Sequence, residues 1–451
     1  MSSTSANPRF SHPEFDVVVV GAGPTGLAAA LGLADAGLSV ALIRQAAKSP
    51  PRSSETASQS SSSASAERSE ARNTTSKMSD SHIARHEHRR TAALLDASIA
   101  LLRNLRVWEA CASHSQPLSG IRIVDDTGGL LRAPEIVFRS SELGLDQFGY
   151  NVPNGILSAA MTARAEGYGT GIAVIDTAAA DAFELDTDPG MARVRLAEGR
   201  WISAHFIVGA DGRNSPSRAA AGIAARTSDR GQSALTCSFT HGRPHGGIST
   251  EFHLPAGPCT AVPLPGSASA LVWVERRDEA ERLAALDDAK FVAALEHRLQ
   301  GLLGSIGAVS PRTLFPLISL EAERFAARRV ALVGEAAHVM PPIGAQGLNL
   351  GFRDVAVLVD TLNEARVMSA DIGAPETLDA YSRARRRDIA GRMFAVDMLN
   401  ASLTSDLLPA HLLRGAGLHA LKAIGPLRRQ VMRTGIVPSR HLPRLMQQLA
   451  H

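Results

Sequence analysis

The chain has 451 residues, 45% of them hydrophobic and 20% charged, the balance of a soluble globular protein with a full core. A formal net charge of +3 and 4% aromatic residues are too little for a nucleic-acid surface made of basic patches and stacking rings. Three scattered cysteines, Cys111, Cys237 and Cys259, argue against a disulfide framework or a zinc site and fit a reducing compartment.

The opening "MSSTSANPRF" lacks the basic-then-apolar order of a secretory signal, which points to a cytoplasmic protein. From Asp16 to Ile43 the chain is apolar enough to raise the question of a membrane span. Its glycines and Asp35 resolve it into a buried strand (Asp16 to Val20), a glycine turn, a small-residue helix and a second strand (Leu38 to Ile43). Residues 49–80 are Ser-rich and poor in apolar side chains, so they read as a disordered surface insertion. "HRRTAALLDASIALLRNLRVWEA" predicts an amphipathic helix. Gly120 to Phe138 reads as a hairpin around Asp126-Thr127-Gly128. "ARVRLAEGRWISAHFIVGADG" reads as a second hairpin running into a buried strand that ends at Ala210-Asp211-Gly212. Thr236 to Val274 is strand-like, and from Leu348 the pattern is helical almost to the end.

Gly21-Ala22-Gly23-Pro24-Thr25-Gly26 is a GxGxxG placed between a strand and a helix. Gly21 permits the tight turn, Gly23 lets backbone approach a pyrophosphate, and Gly26 lets helix and strand pack closely. The helix N-terminus beyond it, opened by Pro24, supplies N–H groups and partial positive charge for phosphate. The fingerprint expects a ribose-holding acid after the second strand, yet Arg44 stands there. Arg89 and Arg90 are the next candidates, with guanidinium forks suited to phosphate or ribose oxygens. A solvated helix start explains them equally well. Asp211 and Gly212 close an apolar strand, where a carboxylate can meet ribose hydroxyls. Taken alone, Asp211 reads as an Asx turn.

The late stretch "GEAAHVMPPIGAQGLNLGFRDV" carries one acid, Glu335, expected to be buried at a strand end. A glycine-loosened loop then opens onto a helix. His338 reads as a structural hydrogen-bonder at the strand–loop junction. Such a loop suits a ligand approached by backbone.

In this order and spacing, the three motifs resemble the group A flavoprotein aromatic hydroxylases over nearly the whole chain apart from the Ser-rich insertion. "RRTAALLDASIALLRNLRVWE", "ELGLDQFGYNVPNGIL" and "PPIGAQGLNLGFRDVAVL" look like the ubiquinone-biosynthesis subfamily. The resemblance implies an α/β, p-hydroxybenzoate hydroxylase-like fold: a Rossmann-like FAD-binding domain, an interleaved β-sheet substrate domain and a helical C-terminal segment. The FAD-binding domain would take 12–114, 149–225 and 321–400, the substrate domain 115–148 and 226–320, and a basic helical segment 401–451. Glu335 would hold the ribityl chain of FAD. Pro342 and Gly344 would lie in the loop beside the isoalloxazine ring. Gly347, Leu348 and Asn349 would begin a helix whose positive end favours the reduced flavin by an order of ~1 kcal/mol.

The implied activity is monooxygenation, with O2 as co-substrate, of the aromatic ring of a polyprenylated phenol through a C4a-hydroperoxyflavin. No second GxGxxG is present for a separate nicotinamide domain, so the electron donor, NAD(P)H or a reduced ferredoxin, would dock transiently. No metal site and no hydrolytic constellation are evident, and no catalytic base can be picked out. Competing readings are a hydroxylase of a small soluble phenol and a catalytically silent FAD-binding scaffold. The implied partners are a lipophilic phenolic substrate and a ubiquinone-biosynthesis complex. From Ala401 onward seven Lys and Arg residues face only Asp406, so this segment suits peripheral contact with the inner membrane. A basic cap packed on the protein accounts for it as well.

Overall fold

The structure, a computed structural model, describes residues 14–45, 90–127, 134–188, 190–341, 346–404, 417, 419–420, 422–435 and 442–448. The Ser-rich stretch 49–80 lies outside them. Five parallel strands form the core of the first sheet: β1 (Phe15–Val20), β2 (Val40–Gln45), β3 (Ile172–Thr177), β4 (Trp201–Gly209) and β5 (Val330–Leu332), in spatial order β3-β2-β1-β4-β5. Val20 lies opposite Ile43 on one side and Gly209 on the other, and Gly209 lies opposite Leu332. Four strands therefore end along one edge. Val17, Val18 and Val19 are fully buried, which explains why β1 is an unbroken apolar run rather than an alternating one.

Helix α1 (Pro24–Asp35) is buried from Gly26 to Ala34. It is apolar all round because it packs between neighbours: the sheet, the helix Asn154–Glu166 and the long helix α2 (Gln346–Val367). Gly32 makes room for α2, since a Cβ there would sit 3.1 Å from Val359. Helix α3 (Pro375–Thr404) follows and packs on α2. The hairpin expected before β4 is present, with Met191–Leu196 antiparallel to β4.

The second sheet has nine strands and is mostly antiparallel. Its long members are Ala225–His241, Ala268–Arg276 and Thr313–Ala322. One face is covered by the helices Arg277–Ala285 and Asp288–Arg298 over a core that includes Leu235, Phe239, Trp273, Phe291 and Leu295. The strands expected on either side of the Asp126-Thr127-Gly128 turn pair, Gly120–Asp125 with Ile136–Arg139, and form the far edge of this sheet, while Gly128 lies outside the described residues.

One element differs from expectation. The helix predicted from His88 begins instead as a strand, Thr91–Leu95, and turns helical at Asp96–Asn104. Thr91–Leu95 pairs with Gly149–Pro153 in a small three-stranded sheet. Gly149 permits this pairing, because a Cβ there would lie 1.9 Å from the Leu94 carbonyl oxygen. A partner more than fifty residues away overrode a local helical period, as tertiary context often does.

Candidate functional site

The carboxyl ends of the parallel strands open onto two cavities of about 390 and 400 Å³ that share Gly23 and Ala210 as lining. Ligands in open α/β sheets bind at this edge. The turn after β1 shows why the three glycines differ. Gly21 has φ +109°, and a Cβ on it would stand 2.4 Å from the Ala210 carbonyl oxygen. A Cβ on Gly26 would stand 1.9 Å from the Gly21 carbonyl oxygen, so that glycine is demanded by the close crossing of turn and helix. At Gly23 a Cβ would meet nothing within 4 Å. Gly23 faces the space the two cavities share. It is the N-cap of α1, it makes no side-chain cap, and Pro24 follows, so the first N–H groups of the helix are left to a ligand.

The first cavity runs along β2 and is lined by Arg44, Gln45, Thr177 and Asp211 among others. Arg44 is held by two acids. Its Nε and Nη2 donate to Asp176 at 2.6 and 2.9 Å, and its Nη1 donates to Glu166 at 2.7 Å. These bonds hold the Arg44 guanidinium above the ordinary arginine range and Asp176 below the usual carboxylate range. The cation that replaced the expected acid has thus recruited acids from the neighbouring strand and helix.

Asp211 does not form the Asx turn that its place in the sequence suggested, which needs the N–H two residues on; its bonds reach four and six residues on. It accepts the Ser217 N–H at 2.8 Å and the Ser215 hydroxyl, while Ser215 caps the helix Pro216–Ala220 by accepting the Arg218 N–H at 2.9 Å. Arg218 then donates to the Ala336 carbonyl at 2.8 Å. The middle and late motifs are therefore tied to each other. Gly212, with φ +78°, lines the second cavity.

The second cavity is lined by Pro24, Thr25, Glu335, His338, Gly347 and Leu348 among others. Glu335 corrects an expectation: it is exposed on the cavity wall, not buried. The buried carboxylate is Asp354 on α2, with no exposed surface. Its Oδ2 accepts the Gly334 N–H at 2.8 Å and meets His338 Nε2 at 2.7 Å, and its Oδ1 accepts Arg385 Nε at 2.7 Å. Burial pushes the Asp354 carboxyl up, but the His338 and Arg385 charges and the bonds from His338 and Gly334 outweigh it and hold it below the usual carboxylate range. Burial likewise opposes the Arg385 charge, which Asp354 and Asp388 nevertheless hold above the ordinary arginine range. His338 is the structural hydrogen-bonder that its position suggested. Asp354 was missed, although an acid on the inward, apolar face of α2 was a signal available in the sequence.

Two other predicted residues face elsewhere. Asn349 is directed away from the cleft: its Oδ1 accepts the Leu95 N–H at 2.9 Å and the Ser98 hydroxyl at 2.7 Å, and its Nδ2 donates to the Ala93 carbonyl at 2.9 Å. It fastens the start of α2 to the small sheet. Arg90 sits over the Phe315 ring, 5.5 Å from its centroid, outside the lining of both cavities. Arg89, Pro342 and Gly344 lie outside the described residues.

The family model described as "FAD binding domain" matches residues 14–61 and 75–395. This chain belongs to the FAD binding domain family. It is 38% identical over 344 residues to the ubiquinone hydroxylase UbiL of Rhodospirillum rubrum, covering 76% of this chain and 78% of that protein. It is 27% identical over 419 residues to the 3-demethoxyubiquinol 3-hydroxylase of Escherichia coli, covering 93% and 97%. The p-nitrophenol 4-monooxygenase PnpA of Pseudomonas putida shares the fold, with a TM-score of 0.66 at 19% identity over 95% of this chain and 99% of that one.

The cleft fits FAD on its own geometry. The uncapped N-terminus of α1 and the open space at Gly23 suit a diphosphate, and two cavities meeting there suit a molecule with two bulky ends.

Proposed function

We propose that this member of the family is an FAD-dependent monooxygenase that hydroxylates the aromatic ring of a polyprenylated phenol in ubiquinone biosynthesis. The observation that carries the reading is the 38% identity, over most of both chains, to a protein named as a ubiquinone hydroxylase. Two more features support it: the FAD-binding family model and a cleft formed along the edge where the three sequence motifs converge.

In this reading Gly21, Gly23, Pro24 and Gly26 shape the turn on which the pyrophosphate rests, with N–H groups of α1 as donors. Glu335, exposed on the wall of the second cavity, accepts hydrogen bonds from the ribityl hydroxyls. Gly347 and Leu348 bring the positive end of α2 to the ring. Asp211 and Gly212 set the loop between the two cavities, and Asp354 fixes the Glu335 turn against α2. Bound FAD, reduced by NAD(P)H or a ferredoxin and supplied with O2, carries the oxygen-transfer chemistry. The protein orients the phenol and excludes water from the site. A lipid-soluble substrate places the enzyme at the inner-membrane surface, where other enzymes of the same pathway meet it.

The test is mass spectrometry of the quinone precursors in a strain lacking this chain. A prenylated precursor short of one ring hydroxyl should accumulate and disappear on complementation. An unchanged precursor profile would sink the proposed pathway. Oxidation of a small soluble phenol, with no prenylated intermediate accumulating, would sink the substrate class.

A further inference from the structure

We propose that Asn154 is a specificity-determining residue of the second cavity, where its carboxamide hydrogen-bonds the ring hydroxyl of the phenol. The inference rests on the substrate class proposed above and names a side chain that recognises it.

Asn154 lines the second cavity and is half-buried. Its backbone is firmly placed. It opens the helix Asn154–Glu166 directly after the strand Gly149–Pro153, and its N–H donates to the Arg90 carbonyl at 2.8 Å. Its side chain is unfastened. Among the described residues no group bonds the carboxamide, and its Oδ1 is closed off from solvent without a hydrogen-bond partner. Leaving a buried polar atom unpaired is costly, and native structures pair nearly all of them. An amide with no protein partner on a cavity wall is therefore matched to a group that enters the cavity.

The other polar side chains of this cavity are already engaged. His338 also has a buried, unpaired nitrogen, Nδ1, but Asp354 fixes its ring at 2.7 Å. Thr25 is packed against two glycines, since a Cβ on Gly334 or Gly351 would stand 2.9 or 2.8 Å from its Oγ1. Glu335 serves the ribityl chain in the reading above.

The place of Asn154 selects the substrate over the cofactor. Most of the cavity lining belongs to the glycine turn with α1, the end of β4, and the late motif with the start of α2, the elements that hold FAD. Ala92 and Asn154 come instead from the small three-stranded sheet and the helix that follows it. That region is braced on the substrate sheet. Arg90, whose carbonyl holds Asn154, lies over the Phe315 ring, 5.5 Å from its centroid. Asn151 is fully buried and donates from Nδ2 to the Pro263 carbonyl at 2.8 Å. Asn154 is thus the polar side chain that the cavity presents where it meets the substrate sheet. A phenol hydroxyl both donates and accepts, so it can bond either end of the amide.

The test is titration of the oxidised holoprotein, without electron donor, with 2-prenylphenol and with prenylbenzene, which lacks the ring oxygen. Binding is read from the flavin absorption spectrum. Wild type should bind the phenol about three- to tenfold more tightly than the hydrocarbon, the effect of one neutral hydrogen bond. Asn154→Leu should lose that preference and bind the hydrocarbon at least as tightly as wild type, with unchanged FAD affinity. Asn154→Ala makes the same comparison with a smaller side chain, should leucine disturb folding. An undiminished preference for the phenol would overturn the proposal. Equal weakening of both ligands would overturn it too, by assigning Asn154 to shape alone, as would weaker FAD binding with the phenol preference intact, by assigning it to the cofactor. The titrations need no turnover, so the two failures are separable. A preference lost in Asn154→Leu beside an unchanged precursor profile would remove the pathway and leave this contact standing; an accumulating precursor beside an undiminished preference would do the reverse.

Discussion

Replacing Asp354 with Asn separates the acid that builds the site from the acid that serves it. Asp354 is fully buried and joins three groups: the Gly334 N–H, His338 and Arg385. Asparagine keeps the shape but removes the charge, leaving the fully buried Arg385 with Asp388, at 2.8 Å, as its remaining acid. Removing one partner of a buried ion pair costs about 3–5 kcal/mol, and the residual Asp388 contact places this site near the lower end, about 3 kcal/mol. In a chain of this size that lowers the apoprotein melting temperature by about 3 °C. Glu335→Gln is the counterpart. Glu335 is exposed, so the apoprotein melt should move by less than about 0.5 kcal/mol, whereas loss of charge-assisted bonds to the ribityl chain should weaken FAD binding about tenfold to a hundredfold. Differential scanning calorimetry of the apoproteins and FAD titration of each variant make the comparison. An Asp354→Asn apoprotein as stable as wild type, beside a destabilised Glu335→Gln, would refute the assignment of the two acids. The pH dependence has a definite sign. The folded Asp354 carboxyl lies below its unfolded range, so its stabilisation is complete above pH ~4 and is lost as pH falls below that toward the folded value. Asp354→Asn should flatten the acid limb of a stability–pH profile in that window.

Four further outcomes follow from the glycine turn and the first cavity. Gly26→Ala places a Cβ 1.9 Å from the Gly21 carbonyl oxygen and should destabilise the apoprotein by about 3 kcal/mol or more, measured by chemical denaturation. Gly23→Ala meets open space at φ −70°, so the apoprotein should lose less than about 1 kcal/mol, and Gly23→Asp should fold yet purify without flavin; a normal flavin content in Gly23→Asp would count against the phosphate assignment. Arg44→Glu gathers three carboxylates where a cation held two, so calorimetry should find weaker ADP binding to the apoprotein, whereas tighter binding would show that this site still uses the acid expected after β2.

The linear order of residues determined the parts of this protein whose chemistry is local. The apolar run of β1, the GxGxxG turn and the small-residue helix after it were legible because both sides of the strand are covered and because only glycine fits at Gly21 and Gly26. The hairpins before β4 and at Gly120–Asp125 were legible for a similar reason, since alternation and turn residues are near neighbours in the chain. Tertiary structure decided what depends on distant partners. Thr91–Leu95 is a strand because Gly149–Pro153 lies beside it. Asn349 turns from the cleft because Ala93, Leu95 and Ser98 offer it bonds. Arg44 stands between Asp176 and Glu166, more than a hundred residues away. Asp354, rather than Glu335, is the buried acid for the same reason. A carboxylate can be buried only where cations and N–H groups converge on it, and that convergence on Asp354 draws on Gly334, His338 and Arg385, which no single stretch of sequence contains.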